Sequence, residues 1–213
     1  MGIDIVEMNK IVIDYDAKNV YSDWLESVKE YSDEDEEDIE LDGIGGNRLF
    51  DPFDPIGVEN LTKICTIEYQ QIIAIDSGEL NFSEVKEAEE HAFSNDEQEW
   101  WMFLDLGVRS VVLAIREIGG FPFSSCNAGC FQDDDKRHSE HYPLVAFYGD
   151  QSCIQIVENA ARQNGCGLYT NGGSLVLYTN DIVNLNRVAA DLLESAEKQS
   201  LGISQSRLAD FEN

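Results

Sequence analysis

Leu144-Val145-Ala146-Phe147-Tyr148-Gly149-Asp150 and Leu175-Val176-Leu177-Tyr178-Thr179-Asn180-Asp181 are two apolar runs, each followed within a few residues by an acid. Each run is short and rich in branched or aromatic side chains, as a buried strand requires. Each then hands over to a helix. Asp150 stands near the N-cap of an apolar-periodic stretch from about Ser152 to Gln163. Asn180-Asp181 precede a second one carrying Val188, Leu192 and Leu193. Between the units, Gly165-Cys166-Gly167 and Asn171-Gly172-Gly173 mark turns around a short strand at Leu168-Tyr169. An Asn-Gly pair closes hairpins, because both residues tolerate the left-handed backbone that a tight turn demands. Two strand-helix units joined through a hairpin predict an α+β fold, with a mixed β-sheet and helices packed mainly on one face.

Working outward from that frame, Phe121 to Cys126 reads as another short strand. Ahead of it, Asn95-Asp96-Glu97 offers a helix start with acids in the first turn. Trp101, Leu104, Val108, Val111, Ile115 and Ile118 then recur at helical spacing, predicting one long buried central helix that Gly119-Gly120 ends. Further back, Ser83 to Phe93 has a helical pattern with Ser83 as its cap, and Cys65 to Ile75 reads as a strand or a pair of strands. Ile3 to Tyr15 suits a strand centred on Ile11-Val12-Ile13, and Asn19 or Ser22 is placed to cap a short helix with Trp24, Leu25 and Val28. The organisation expected is an acidic N-terminal region over residues 1–94, a compact α/β core over 95–201, and a polar tail over 202–213.

Charge is the outstanding feature of the composition. The 213 residues carry a formal net charge of −28. Residues 1–100 hold 6 basic and 28 acidic side chains, a net of −22. Such a field repels phosphate backbones and anionic lipid, so direct nucleic-acid or membrane binding is disfavoured. It attracts a basic protein partner instead. Asp33-Glu34-Asp35-Glu36-Glu37-Asp38, a run of six acids, is the densest part of this charge and is read as an imitation of a phosphate array. Acidity that serves only solubility is the competing explanation.

No stretch approaches the roughly 20 apolar residues that span a bilayer. The start Met1-Gly2-Ile3-Asp4 lacks the basic and apolar regions of a secretory signal. Five cysteines without a regular framework read as reduced thiols, which points to the cytoplasm.

Chemistry concentrates in one polar segment. Cys126 and Cys130 are followed by His138 and His141, so two of five cysteines and two of three histidines fall within 16 residues. Thiolate and imidazole are the preferred ligands of tetrahedral zinc, which makes these four a candidate metal set, against structural thiols and solvated histidines. As a catalytic set, Cys126 or Cys130 would be the nucleophile, His138 or His141 the base, and Asp133, Asp134 or Asp135 the group orienting it. Surrounding negative charge raises a thiol's pKa and works against that use. Arg109 and Arg116, seven residues apart, share one side of a helix; ion pairing is their default role and the wall of an anion pocket the alternative. The glycine pairs match no phosphate-binding fingerprint.

Ser124-Ser125-Cys126-Asn127-Ala128-Gly129, then a strand, a helix with Ala160-Ala161 and a Gly-bounded strand, resembles the element order of the wybutosine-synthesis tRNA methyltransferase family over residues 121–180. In that family a Ser-Ser-Cys-Ser-Gly motif ends a strand. Asn127-Ala128 stands here in place of its single Ser, and Cys130 in place of the basic residue that follows its Gly. The resemblance implies a related α/β layout and not the activity.

Two functional readings emerge. One is an acidic, inhibitory or immunity-type protein that binds a basic partner; the other is a small-molecule or zinc site at residues 126–141, with catalysis left open.

Overall fold

A computed structural model describes residues 10–13, 57–92, 104–131, 140–171 and 173–211. Within them the order is β1 (Ile11–Val12), α1 (Val58–Asp76), α2 (Phe82–Ala92), α3 (Arg109–Glu117), β2 (Phe121–Cys126), β3 (Leu144–Tyr148), α4 (Gln151–Gln163), β4 (Gly167–Asn171), β5 (Ser174–Tyr178) and α5 (Ile182–Phe211). The strands form one sheet in the order β1-β4-β5-β3-β2. β1 runs parallel to β4, and every other pairing is antiparallel, so the sheet is mixed. β4 and β5 form the expected hairpin, its last pair being Asn171 with Ser174; Asn171 ends β4 as a strand residue and does not take the left-handed position that an Asn-Gly turn would give it.

Strand alternation divides the sheet. Val145, Phe147, Leu168, Leu175 and Leu177 join the helices in the main core, which also takes Val111, Ile115, Val157, Leu185 and Leu192. Leu144, Ala146, Val176 and Tyr178 lie on the opposite face with Phe123, Tyr142 and Tyr169. There Tyr178 meets the rings of Tyr142 and Tyr169, each at 5.5 Å between centroids, an aromatic cluster of favourable spacing. Gly167 is required beneath it, since a Cβ at that position would stand 2.1 Å from Tyr178 Cζ. The helices therefore cover one face, and the fold is α+β as the two strand-helix units imply.

Several elements depart from the sequence reading. Cys65 to Ile75 is not a strand but the middle of α1. Its buried positions Leu61, Ile64, Cys65, Glu68 and Ile72 repeat at helical steps; tertiary burial of that stripe overrides the β-branched residues between them. The central helix is short. α3 covers only Arg109–Glu117, although every residue from Arg109 to Arg116 is buried. Gly107, at φ 93°, holds the backbone out of helical conformation just before it. Residues 93–103, which include the expected start at Asn95, lie outside the described residues. α2 is capped by Asn81 rather than Ser83: Asn81 Oδ1 accepts the Glu84 N–H and Glu84 Oε2 accepts the Asn81 N–H, both at 2.8 Å, a reciprocal capping box. Asp150 caps α4 as expected, accepting the Cys153 N–H at 2.8 Å. From Gly202 the segment read as a polar tail carries the backbone of α5 on to Phe211.

One hydrophobic core crosses the expected boundary between residues 94 and 95. Leu61, Ile64, Ile72, Phe82 and Val85 of α1 and α2 pack in it with residues of α3 and α5. No helix among the described residues is long and apolar enough to cross a membrane.

Candidate functional site

The α1–α2 turn, the start of α5 and the loop after β2 meet around a cleft of about 1170 Å³. Asp76 ends α1, the turn Ser77-Gly78-Glu79-Leu80-Asn81 follows, and α2 begins at Phe82. Its floor holds Ile72, Phe82, Phe131 and Ile182, all buried. Phe82 and Phe131 stack with ring centroids 5.4 Å apart. Ile73 and Leu80 line it while remaining 39% and 40% exposed, so apolar surface reaches the rim. Gly107 keeps the floor closed from below, because a Cβ there would press to 2.4 Å from Ile182 Cγ1.

The rim is acidic. Asp76, Glu79, Glu84 and Asp181 line it, all exposed, against the single cation Arg187 among the described lining residues. Two of those acids serve helix N-termini: Glu84 belongs to the α2 capping box, and Asp181 Oδ1 accepts the Val183 N–H at 3.1 Å. Each helix N-terminus carries about half a positive charge, so two of them and one guanidinium leave roughly two net negative charges on the rim. The sign is set by the carboxylates.

Of the described residues of the Cys/His segment, Cys130 and Phe131 reach the cleft. Asn127, fully buried, donates through Nδ2 to Leu106 O at 3.2 Å and accepts the Gly129 N–H at 2.9 Å. That tight turn places Ala128 at φ 59° and presents Cys130 at the cleft. The Cys130 thiol donates to Asn127 O at 2.7 Å. Cys126, at the end of β2, is buried, and its sulfur accepts the Ala128 N–H at 3.3 Å. His141 lies exposed just before β3, and His138 lies outside the described residues. Among the described residues no group of three or more His, Cys, Asp or Glu side chains is placed to hold a metal ion.

The other three thiols are enclosed. Burial pushes Cys65 up to about 11 and Cys166 up to about 12, and raises Cys153 further. Thiols held so far above neutrality stay protonated and unreactive.

Arg109 sits in a buried network. Its guanidinium meets Glu89 through two bonds, Nη1 to Oε1 at 2.5 Å and Nη2 to Oε2 at 3.1 Å, and Nε donates to Leu104 O at 2.9 Å. Gln71 also donates to Glu89, at 3.1 Å. Burial opposes ionisation of Glu89, yet the bonds and charge of Arg109 hold its carboxyl below the ordinary value. Arg109 thus takes the ion-pairing role, with Glu89 of α2 as its partner rather than a neighbour on its own helix. Arg116 is likewise buried, in the last turn of α3. Asp33, Glu34, Asp35, Glu36, Glu37 and Asp38 lie outside the described residues.

Sequence reasoning missed Asp76, Glu79, Glu84 and Asp181 as a group. Their one local trace is Asp76-Ser77-Gly78-Glu79-Leu80-Asn81, a helix stop followed at once by a cap; what unites them is the approach of α5, over a hundred residues later. Compared with known proteins, the chain matches no family model, no curated protein and no solved structure.

Proposed function

We propose that this chain is an acidic protein-binding module that engages a basic partner, in the manner of an inhibitor masking a cationic, nucleic-acid-binding surface. The observation that carries this reading is an excess of exposed carboxylates over cations. The net charge is −28, and on α1, α2 and the turn between them Glu59, Asp76, Glu79, Glu84 and Glu87 are all exposed. The two lysines of that stretch are drawn into pairs with acids of the same helices, Lys63 with Glu59 and Lys86 with Glu89. The surface keeps its negative field, which speeds encounter with a cation-rich protein and repels nucleic acid.

The test is binding of a panel of purified basic proteins, with acidic proteins and duplex DNA as controls, by interferometry at low and high salt. The reading expects binding confined to basic proteins, with affinity falling steeply as the Debye length contracts from about 10 Å at 0.1 M salt to about 3 Å at 1 M. Binding that ignores salt, or binding to acidic proteins equally well, defeats it.

A further inference from the structure

We infer that the cleft between the α1–α2 turn and the start of α5 is the docking groove for a basic amphipathic segment of a partner protein, an apolar side chain entering between Ile73 and Leu80 and its lysines or arginines meeting Asp76 and Glu79. The inference rests on the preceding reading of the acidic surface and localises it.

Three features converge there. The cleft is large, about 1170 Å³, above the roughly 300–1,000 Å³ of small-molecule pockets. Its floor is apolar, and Ile73 and Leu80 stand exposed at its edge. Its rim is negative, with Asp76 and Glu79 exposed and outside the two helix caps. A purely polar cation would leave the apolar edge in water, and a purely apolar segment would leave the carboxylates without counter-charge. A segment with one cationic face and one apolar side chain satisfies both, as in helix-in-groove recognition. A second groove beside α1, of about 350 Å³, lies against α5 and includes Glu194 and Glu197. It provides a matched control surface.

The experiment uses the full chain and a synthetic helical peptide with lysines on one face and leucines on the other, followed by fluorescence anisotropy. Wild type is expected to bind with salt-sensitive affinity. The Asp76→Lys/Glu79→Lys variant should lose at least tenfold, Leu80→Ser several-fold, and Glu194→Lys/Glu197→Lys, with the same change in net charge, little. Circular dichroism checks that each variant stays folded. If both double reversals weaken binding equally, or a peptide with serine for leucine binds as well, the groove is wrong while the charge reading stands. If the leucine peptide does not bind, or binds regardless of salt, both fall.

Discussion

Glu68 and Ser110 are 42 residues apart in the chain, yet the Glu68 carboxylate accepts the Ser110 backbone N–H at 2.8 Å. It also accepts those of Gly107 at 2.7 Å and Arg109 at 3.1 Å. A helix leaves its first N–H groups without internal partners, and α3 has no side-chain cap of its own. A buried carboxylate from α1 supplies that cap and opposes the helix dipole. Glu68→Ala would strand several buried donors, each costing about 1–3 kcal/mol when unsatisfied, so a loss of at least about 2 kcal/mol is expected. Glu68→Gln, which keeps one oxygen, should cost less. Urea unfolding of the two variants measures the difference.

Arg109 and Glu89 should be worth little as a pair and much as halves. Removing one partner of a buried pair leaves the other charge uncompensated, at about 3–5 kcal/mol. Arg109→Met and Glu89→Leu are each expected to destabilise on that scale. The double variant should recover most of it, because the desolvation cost goes with the charges. A double-mutant cycle in which the two losses simply add would contradict this.

The same pair gives a sign to the acid limb of stability. The folded carboxyl of Glu89 titrates below its ordinary value of 4.5, so the unfolded chain takes up this proton first as pH falls. Its contribution is present above that ordinary value and is lost as pH falls through the depressed one. Subtracting the stability of Glu89→Gln from that of wild type at each pH isolates this site from the other carboxylates. The difference should be flat near neutrality and shrink below about pH 4.5.

The legible part of the fold was the part with local causes. β3, β5, the Asp150 cap and the β4–β5 hairpin each rest on residues adjacent in sequence, and the structure contains all four. α1 was obscured because Thr62, Thr66, Ile67, Ile73 and Ile75 give a β-branched texture to a stretch whose buried stripe is helical. The start of α3 was obscured for a different reason: its cap, Glu68, comes from another helix. The cleft combines both difficulties, since its rim joins Asp76 and Glu79 to Asp181 through packing alone.

Gly167 is set by space. It lies opposite Tyr178 in the β4–β5 register, and the added Cβ of Gly167→Ala would come within 2.5 Å of the Tyr178 hydroxyl as well as closer to the ring. That ring is buried, so it has little room to withdraw. Overpacking of this kind costs about 1–3 kcal/mol. Tyr178→Leu alone should also destabilise, by removing the ring contacts with Tyr142 and Tyr169. Combined with Gly167→Ala it should cost less than the two losses added, and thermal melts of the four proteins decide it.

Cys130 is the exposed thiol among five, the others being buried. Alkylation by iodoacetamide under native conditions should therefore modify one residue quickly, with Cys65, Cys153 and Cys166 reacting only on unfolding. Burial that raises their thiols leaves almost no thiolate at neutral pH, and the thiolate is the reactive form. Because Cys130 lines the cleft, occupancy of the groove by the lysine-leucine peptide should slow its modification in proportion to the fraction bound. Peptide mapping by mass spectrometry reads both results. Rapid labelling of Cys153 in the native protein would mean that the helix face on which it sits opens readily, contrary to its burial beneath Gly120 and Gly149. A Cys130 rate indifferent to saturating peptide would place the peptide elsewhere on the acidic surface.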